Sequence, residues 1–228
     1  MSVANQPIVA EPAVQPATVL VEQWLARLDV ALHGASQASV ASLFAPDGHW
    51  RDLLAFTWSI TPCQGADAIA ALMVSKQAST KARGFAIAKG RTPPRRAQRA
   101  GVDVIEGIFR YETGIGRGFG VVRLLATDPT RAFQLMTNLH ELRGFEERTG
   151  KRRPTGEAYS RNFGGTNWKD QRISSERYAD REPTALVVGG GQAGLTVAAA
   201  LGHLGVDTLA KPSPQKSGRS GAWAGMAR

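Results

Sequence analysis

Residues 102–142 read VDVIEGIFRYETGIGRGFGVVRLLATDPTRAFQLMTNLHEL, and their period decides the fold. Three runs rich in β-branched and aromatic residues, Val102 to Thr113, Gly118 to Ala126 and Arg131 to Leu142, predict three long strands. Gly114-Ile115-Gly116-Arg117 and Thr127-Asp128-Pro129-Thr130 separate them, and both are turn sequences. In the last run Phe133, Leu135, Thr137 and Leu139 alternate onto one face.

Upstream of these strands the period is helical. Thr18 is the expected N-cap of a first helix, with Val21, Trp24, Leu25, Leu28, Ala31 and Leu32 on one face and Gly34 at its end. Ser36 is predicted to cap a short second helix carrying Val40, Leu43 and Phe44. Asp47-Gly48 reads as a turn and His49 to Ile60 as strand material. Gly65 precedes a third helix with Ile69, Leu72 and Met73 inward. Helices first and long strands after predict an α+β layout, in which helices pack on a curved antiparallel sheet shaped as a half-cone around a pocket.

Composition sets the outer limits. The chain has 228 residues, with 28 Lys and Arg against 19 Asp and Glu, a formal net charge of +9. At 43% hydrophobic and 7% aromatic residues it has the material for a core. A single Cys63 excludes a disulfide framework and a Cys-rich metal site, and no metal is expected. Residues 1–17 contain Pro7, Glu11, Pro12 and Pro16 without a basic n-region, which argues against a signal peptide. Thr184 to Leu204 is the most apolar stretch, but its glycines point to a turn, so no membrane partner and a cytoplasmic location are expected. Lys81 to Arg99 holds seven basic residues and no acid, and reads as a solvated loop around Pro93-Pro94. Phe85 is its only aromatic, so a nucleic-acid surface built on stacking is disfavoured.

Chemistry concentrates near the end of the sequence. The short apolar strand Thr184 to Val188 runs into Gly189-Gly190-Gly191-Gln192-Ala193-Gly194, which fits G-x-G-x-x-G, and Leu195 to Leu204 reads as a helix. In that order Gly189 makes a tight turn, Gly191 lets the backbone approach a pyrophosphate, and Gly194 lets helix and strand pack closely. Val206 to Leu209 then begins a second strand. The acid that would hold a ribose is missing, since Lys211-Pro212 occupies its place. Only 39 residues follow Gly189, room for about one β-α-β unit of roughly 30 residues. The Rossmann-type start is therefore expected to be incomplete.

With these residues in place, the sequence from about Thr18 to Leu209 resembles the front part of bacterial flavin-dependent monooxygenases that carry a nuclear-transport-factor-like domain ahead of the flavin domain. The matching stretches are Phe44 to Asp52, Gly90 to Arg96, Arg152 to Glu157, Asn167-Trp168 and Val187 to Gly194. The resemblance implies an oxidoreductase and flavoprotein in which NADPH reduces FAD and the flavin oxygenates a small substrate. It places the FAD pyrophosphate on Gly189, Gly190, Gly191, Gln192, Ala193 and Gly194. It supplies no ribose acid and no second glycine motif here, and the departure near Leu209 suggests a frameshift or premature stop.

The expected organisation is a leader at 1–17, a nuclear-transport-factor-like domain at 18–142, a connector at 143–183, a truncated FAD-binding start at 184–209 and a basic tail at 210–228. The first reading of function is an N-terminal fragment of an FAD- and NADPH-dependent monooxygenase, catalytically incomplete as it stands. The alternative is a free-standing pocket domain that binds a small molecule or acts as a hydrolase or isomerase. Its candidate side chains are Asp47, His49 and Asp52 near the first strand, and His140 and Glu141 near the last. Against each stands a plainer reading: Asp47 in a turn, His49 as an ordinary strand residue, and Arg51 with Asp52 as an exposed ion pair. His140 and Glu141 are adjacent in a strand and point to opposite faces. Cys63 has no basic neighbour in sequence and reads as an inert thiol. Trp24 and Trp50 read as core packing, or as walls of a pocket. Catalytic residues and the substrate stay open, as does a homodimer formed through the sheet.

Overall fold

The structure, a computed structural model, describes residues 15–148, 150–152, 165 and 167–211. The leader up to residue 14, most of the Arg152 to Glu157 stretch and the tail from 212 lie outside the described residues. Contacts divide the chain into two units, Met1–Arg143 and Gly144–Arg228.

The first unit begins with α1 (Ala17–His33) and α2 (Gln37–Ala41). The six residues of α1 expected to face inward are its buried ones. Thr18 is not its cap: Pro16 stands in that position, with φ preset and no side-chain bond to the first turn. Ser36 does cap α2, accepting from Ser39 N at 3.3 Å. Leu43 and Phe44, expected on that helix, instead lead into β1 (Phe44–Leu53), so the Asp47-Gly48 pair lies inside a bulged strand. The predicted strand from His49 to Ile60 is split. It closes β1, turns through 54–59, and opens β2 (Ile60–Gln64).

After α3 (Ala66–Thr80) the basic stretch departs from expectation. Only 88–94, around Pro93-Pro94, is loop; on either side lie two short strands, β3 (Arg83–Ile87) and β4 (Arg95–Arg99), laid one after the other along the same edge of β5 (Val102–Glu112). Their cations are spaced so that Arg95 and Arg99 face a carboxylate on β5, a pairing that charge composition does not disclose. β6 (Gly116–Leu125) and β7 (Ala132–Leu142) complete the meander. The order across the sheet is β2-β1-β7-β6-β5-β3, with β4 also on β5. The sheet is not wholly antiparallel: β1 and β7 run parallel, with Trp50 opposite Leu135 and Asp52 opposite Thr137.

Helices α1 and α3 cover the inner face of this sheet, and rings fill the space between. Trp24, Phe44, Trp50, Phe109 and Tyr111 are almost wholly buried. Phe85 stacks on Tyr111 at 5.1 Å between centroids, and Trp50 meets Phe56 edge-on at 5.4 Å. β6 makes room for these rings by carrying glycine. A Cβ on Gly118 would strike the Tyr111 ring, and one on Gly120 would strike the Phe109 ring and the Met136 carbonyl. Alternation in β7 also breaks. Gln134 pairs with Arg123 while Ala132 pairs with Leu124, leaving Phe133 as the extra residue of a bulge. Phe133 therefore leaves the inner face and packs edge-on against His49.

In the second unit Asn167 caps α4 (Trp168–Glu176), accepting from Asp170 N at 2.9 Å. This helix ends at Glu176, with Arg177 as its C-cap, before Tyr178 with φ 45°. β8 (Ala185–Val188), α5 (Gln192–His203) and β9 (Thr208–Lys211) follow, with β8 and β9 parallel and Val188 opposite Lys211.

Gly120→Ala is expected to destabilise the first unit by at least about 2 kcal/mol, because neither a ring in a filled core nor a ladder carbonyl can retreat. Chemical denaturation reads the change. A loss under about 0.5 kcal/mol would mean the inner face is less tightly filled than described.

Candidate functional site

Two places in the first unit gather polar side chains, one on each face of the sheet. On the inner face lies Asp52, with no exposed surface. Its Oδ1 accepts from the Thr137 hydroxyl at 2.7 Å, and Thr137 in turn accepts from Trp50 Nε1 at 3.0 Å. Its Oδ2 accepts from Phe56 N at 2.9 Å, Thr57 N at 2.8 Å and the Thr57 hydroxyl at 2.9 Å. Tyr111 lies close by and donates to the Asn138 carbonyl at 3.2 Å. Burial, and then the charge on Asp52, hold its phenol well above the usual range.

This network has the residue types of an acid–base site but not the freedom of one. Four donors already occupy the carboxylate, and aromatic rings fill the space a substrate would need. What Asp52 does is fix the turn after β1. Leu54 (φ 67°) and Trp58 (φ 56°) sit in the left-handed region that L side chains avoid, and Trp58 is 62% exposed. Such conformations cost about 1–3 kcal/mol each, and the hydrogen bonds to Asp52 offset that strain. The expected Arg51–Asp52 ion pair does not exist, since the two residues point to opposite faces and Arg51 is exposed.

On the outer face the strand register aligns one polar row across six strands. Gln64, His49, Gln134, Arg123, Glu106 and Arg95 are successive cross-strand neighbours. Arg99 donates to Glu106 at 2.6 and 2.9 Å, Arg95 donates at 2.9 Å, and Arg123 Nε lies 3.6 Å away. The Arg99 hydrogen bonds are the chief cause holding the Glu106 carboxyl below its usual range. Arg123 Nη1 donates to Gln134 Oε1 at 2.6 Å. The next row along the strands runs Pro62, Arg51, Met136, Val121 and Ile108. Between the two rows lies a depression of about 620 Å³, with Arg51, Arg123, His49, Gln64 and Gln134 around an apolar floor of Val121 and Met136. Cys63 also borders it, and burial pushes its thiol up rather than activating it.

A second, more open hollow of about 530 Å³ lies beside α1 and α2. Its hydroxyls are already used, with Ser39 donating to Ser36 and Ser42 to the Ser39 carbonyl.

The remaining sequence candidates scatter. Asp47 is exposed, and His140 is exposed with Phe119 edge-on at 5.0 Å. Glu141 faces Arg117 at 3.4 Å. Trp24 is core, donating to the Leu43 carbonyl at 3.0 Å, and Trp50 is bonded inward to Thr137. Of the sequence candidates, His49, Trp50 and Cys63 border the outer depression. Sequence reasoning missed Gln64, Arg123, Gln134 and Met136. For Arg123, Gln134 and Met136 the signal was their phase, since each stands out of step with the buried residues of its strand, whereas Gln64 lies on a strand with no buried residue.

In the second unit Gly189 has φ 119°, Gly191 precedes α5 without a side-chain cap, and a Cβ on Gly194 would strike the Gly189 carbonyl. Gly190, Gln192 and Ala193 complete the loop and first turn. Asp207 lies at the opposite end of β9 from this loop and is bonded by Tyr178 at 2.7 Å and Arg181 at 3.1 Å. Among the described residues no three His, Cys, Asp or Glu side chains gather as a metal site, and no helix is long and apolar enough to cross a membrane.

No protein-family model matches the chain, and no curated protein matches it. Solved structures that it is similar to include an NTF2-like protein of unknown function from Mesorhizobium loti, at 13% identity and TM-score 0.37, covering 56% of this chain and 97% of that one. A cystatin-like domain from Nostoc punctiforme is 13% identical at TM-score 0.43, covering 73% and 97%. An LEH-like epoxide hydrolase from M. tuberculosis is 15% identical at TM-score 0.32, covering 55% and 86%. None of these links the chain to flavin monooxygenases.

Asp52→Asn is expected to cost about 2–4 kcal/mol, because the amide sets an N–H against N–H donors in a buried site. Denaturant titration checks this, and a near-neutral result would show the carboxylate is not what fixes the turn. Glu106→Gln is expected to cost about 1–2 kcal/mol at neutral pH, leaving three guanidiniums around a neutral amide. Because folding depresses the Glu106 pKa, its stabilisation is full above the ordinary carboxylate value of 4.5 and fades as pH falls through the lower folded value. The gap between variant and parent should therefore close on acidification. A gap that widens would reverse the assignment.

Proposed function

We propose that the first unit is a small-molecule-binding domain whose ligand sits in the outer-face depression. One observation carries this reading: the inner face is filled by rings, while the outer face keeps a bordered hollow of about 620 Å³ in which polar groups converge on an apolar floor. Catalysis on the inner face would need an acid or base with a free lone pair or proton facing open space, and Asp52 has neither, whereas His49 borders the outer hollow. Amide chemical shifts recorded with a panel of small aromatic compounds, neutral and charged, test the reading. Changes should centre on residues 49, 51, 64, 121, 134 and 136. Changes confined to 50, 52, 111 and 137 would place the ligand inside and overturn it.

A second reading is supported by the glycine loop. The bare N-terminus of α5, the positive φ of Gly189 and the close approach of Gly194 to its carbonyl fit a phosphate-bearing group, as the resemblance to FAD-dependent monooxygenases suggests. The backbone of Gly189 to Gly194 would hold the pyrophosphate of FAD. The fit ends there, since Lys211 stands where an acid for the ribose belongs. Bound flavin supplies redox chemistry, and the described residues offer NADPH no second glycine motif. Titrating FAD is expected to shift the amides of 189–194 without any oxidation of NADPH. Unmoved amides would remove the second reading, and NADPH turnover would restore the monooxygenase as an intact activity.

A further inference from the structure

The structure assigns to the outer-face depression a small organic anion, held by Arg51 and Arg123 with its apolar body over Val121 and Met136. This rests on the binding reading given above and adds the ligand's chemical class. Charge is the first argument. Two arginines, a histidine and two glutamines border the hollow, and no acidic side chain does. Among the described residues Arg51 pairs with no carboxylate. Arg123 has only a share in Glu106, which Arg95 and Arg99 already bond at 2.6–2.9 Å. Three guanidiniums around one carboxylate leave positive charge unbalanced at the edge of the hollow. Arg123 Nε is buried there without a hydrogen-bond partner, and its side chain is 33% exposed.

Geometry is the second argument. Arg51 and Arg123 stand two strands and one row apart, roughly 12 Å between Cα positions by strand spacing and rise. Gln134 and Met136 of β7 lie between them, so both cations border the same ground. A planar body fits the Val121 and Met136 floor, and guanidinium N–H groups match the paired oxygens of a carboxylate or a phosphate ester. The half-buried floor and the half-buried Arg123 lower the local dielectric on that side, which strengthens the attraction there over a fully exposed ion pair.

The test uses the full chain with 2-naphthoate, 2-naphthyl phosphate and the neutral 2-naphthalenemethanol, read by calorimetry and amide shifts. At least one anion should bind at least tenfold more tightly than the alcohol, with shifts at residues 51, 121 and 136, and whichever is tighter names the anionic group. Arg51→Gln, at an exposed position, should weaken that anion at least tenfold and leave the alcohol unchanged. Raising NaCl to 0.5 M should weaken the anion alone. If acid and alcohol bind equally, or Arg51→Gln changes nothing, the ligand class falls while the binding reading stands. If no probe binds, both fall. A stable dimer in sedimentation that keeps these amides silent to every probe gives the face to a second copy and overturns the proposal.

Discussion

The rings of Phe109 and Tyr111 lie where β6 has no side chains, and everything else about the first unit follows from that intrusion. Two glycines on one strand let two rings from its neighbour cross above the backbone, and Phe85 packs on both of them. A sheet curved over helices ordinarily leaves a hollow at its open end. Here rings occupy that side, and the depression of about 620 Å³ lies on the opposite face.

The same packing explains the fate of Asp52. Surrounded by rings and shut from water, an ionised carboxylate survives only if donors satisfy it, and four do. Those donors come from the turn it must hold and from a strand reached much later in sequence. The residue that looks most like a general base is thus a fastener. The polar row outside answers to different physics: it is half-wet, rich in arginine, and organised by strand register rather than by burial.

Much of this was legible beforehand, and the exceptions have physical causes. The buried face of α1, the Ser36 cap and the meander follow from local periodicity, which tertiary context left intact. The parallel pairing of β1 with β7 did not, because register between strands some 85 residues apart leaves no local mark. The basic stretch misled because strand propensity is weak in Arg-rich segments, and its two strands exist only against β5. Phe133 misled because one bulge inverts alternation for every residue before it. The glycine loop reads directly from the sequence because its spacing and flanking apolar runs are contiguous.

The Asp52–Thr137 bond also has a temporal meaning. The carboxylate and its hydroxyl donor are separated by 85 positions, so on a ribosome β1 emerges long before the strand that completes it. Until β7 arrives, a charged side chain destined for burial keeps that stretch in water, and β1 lacks its parallel partner. The last strand of the meander is the keystone of the sheet: it supplies the Thr137 donor to the buried carboxylate and joins β1 to β6.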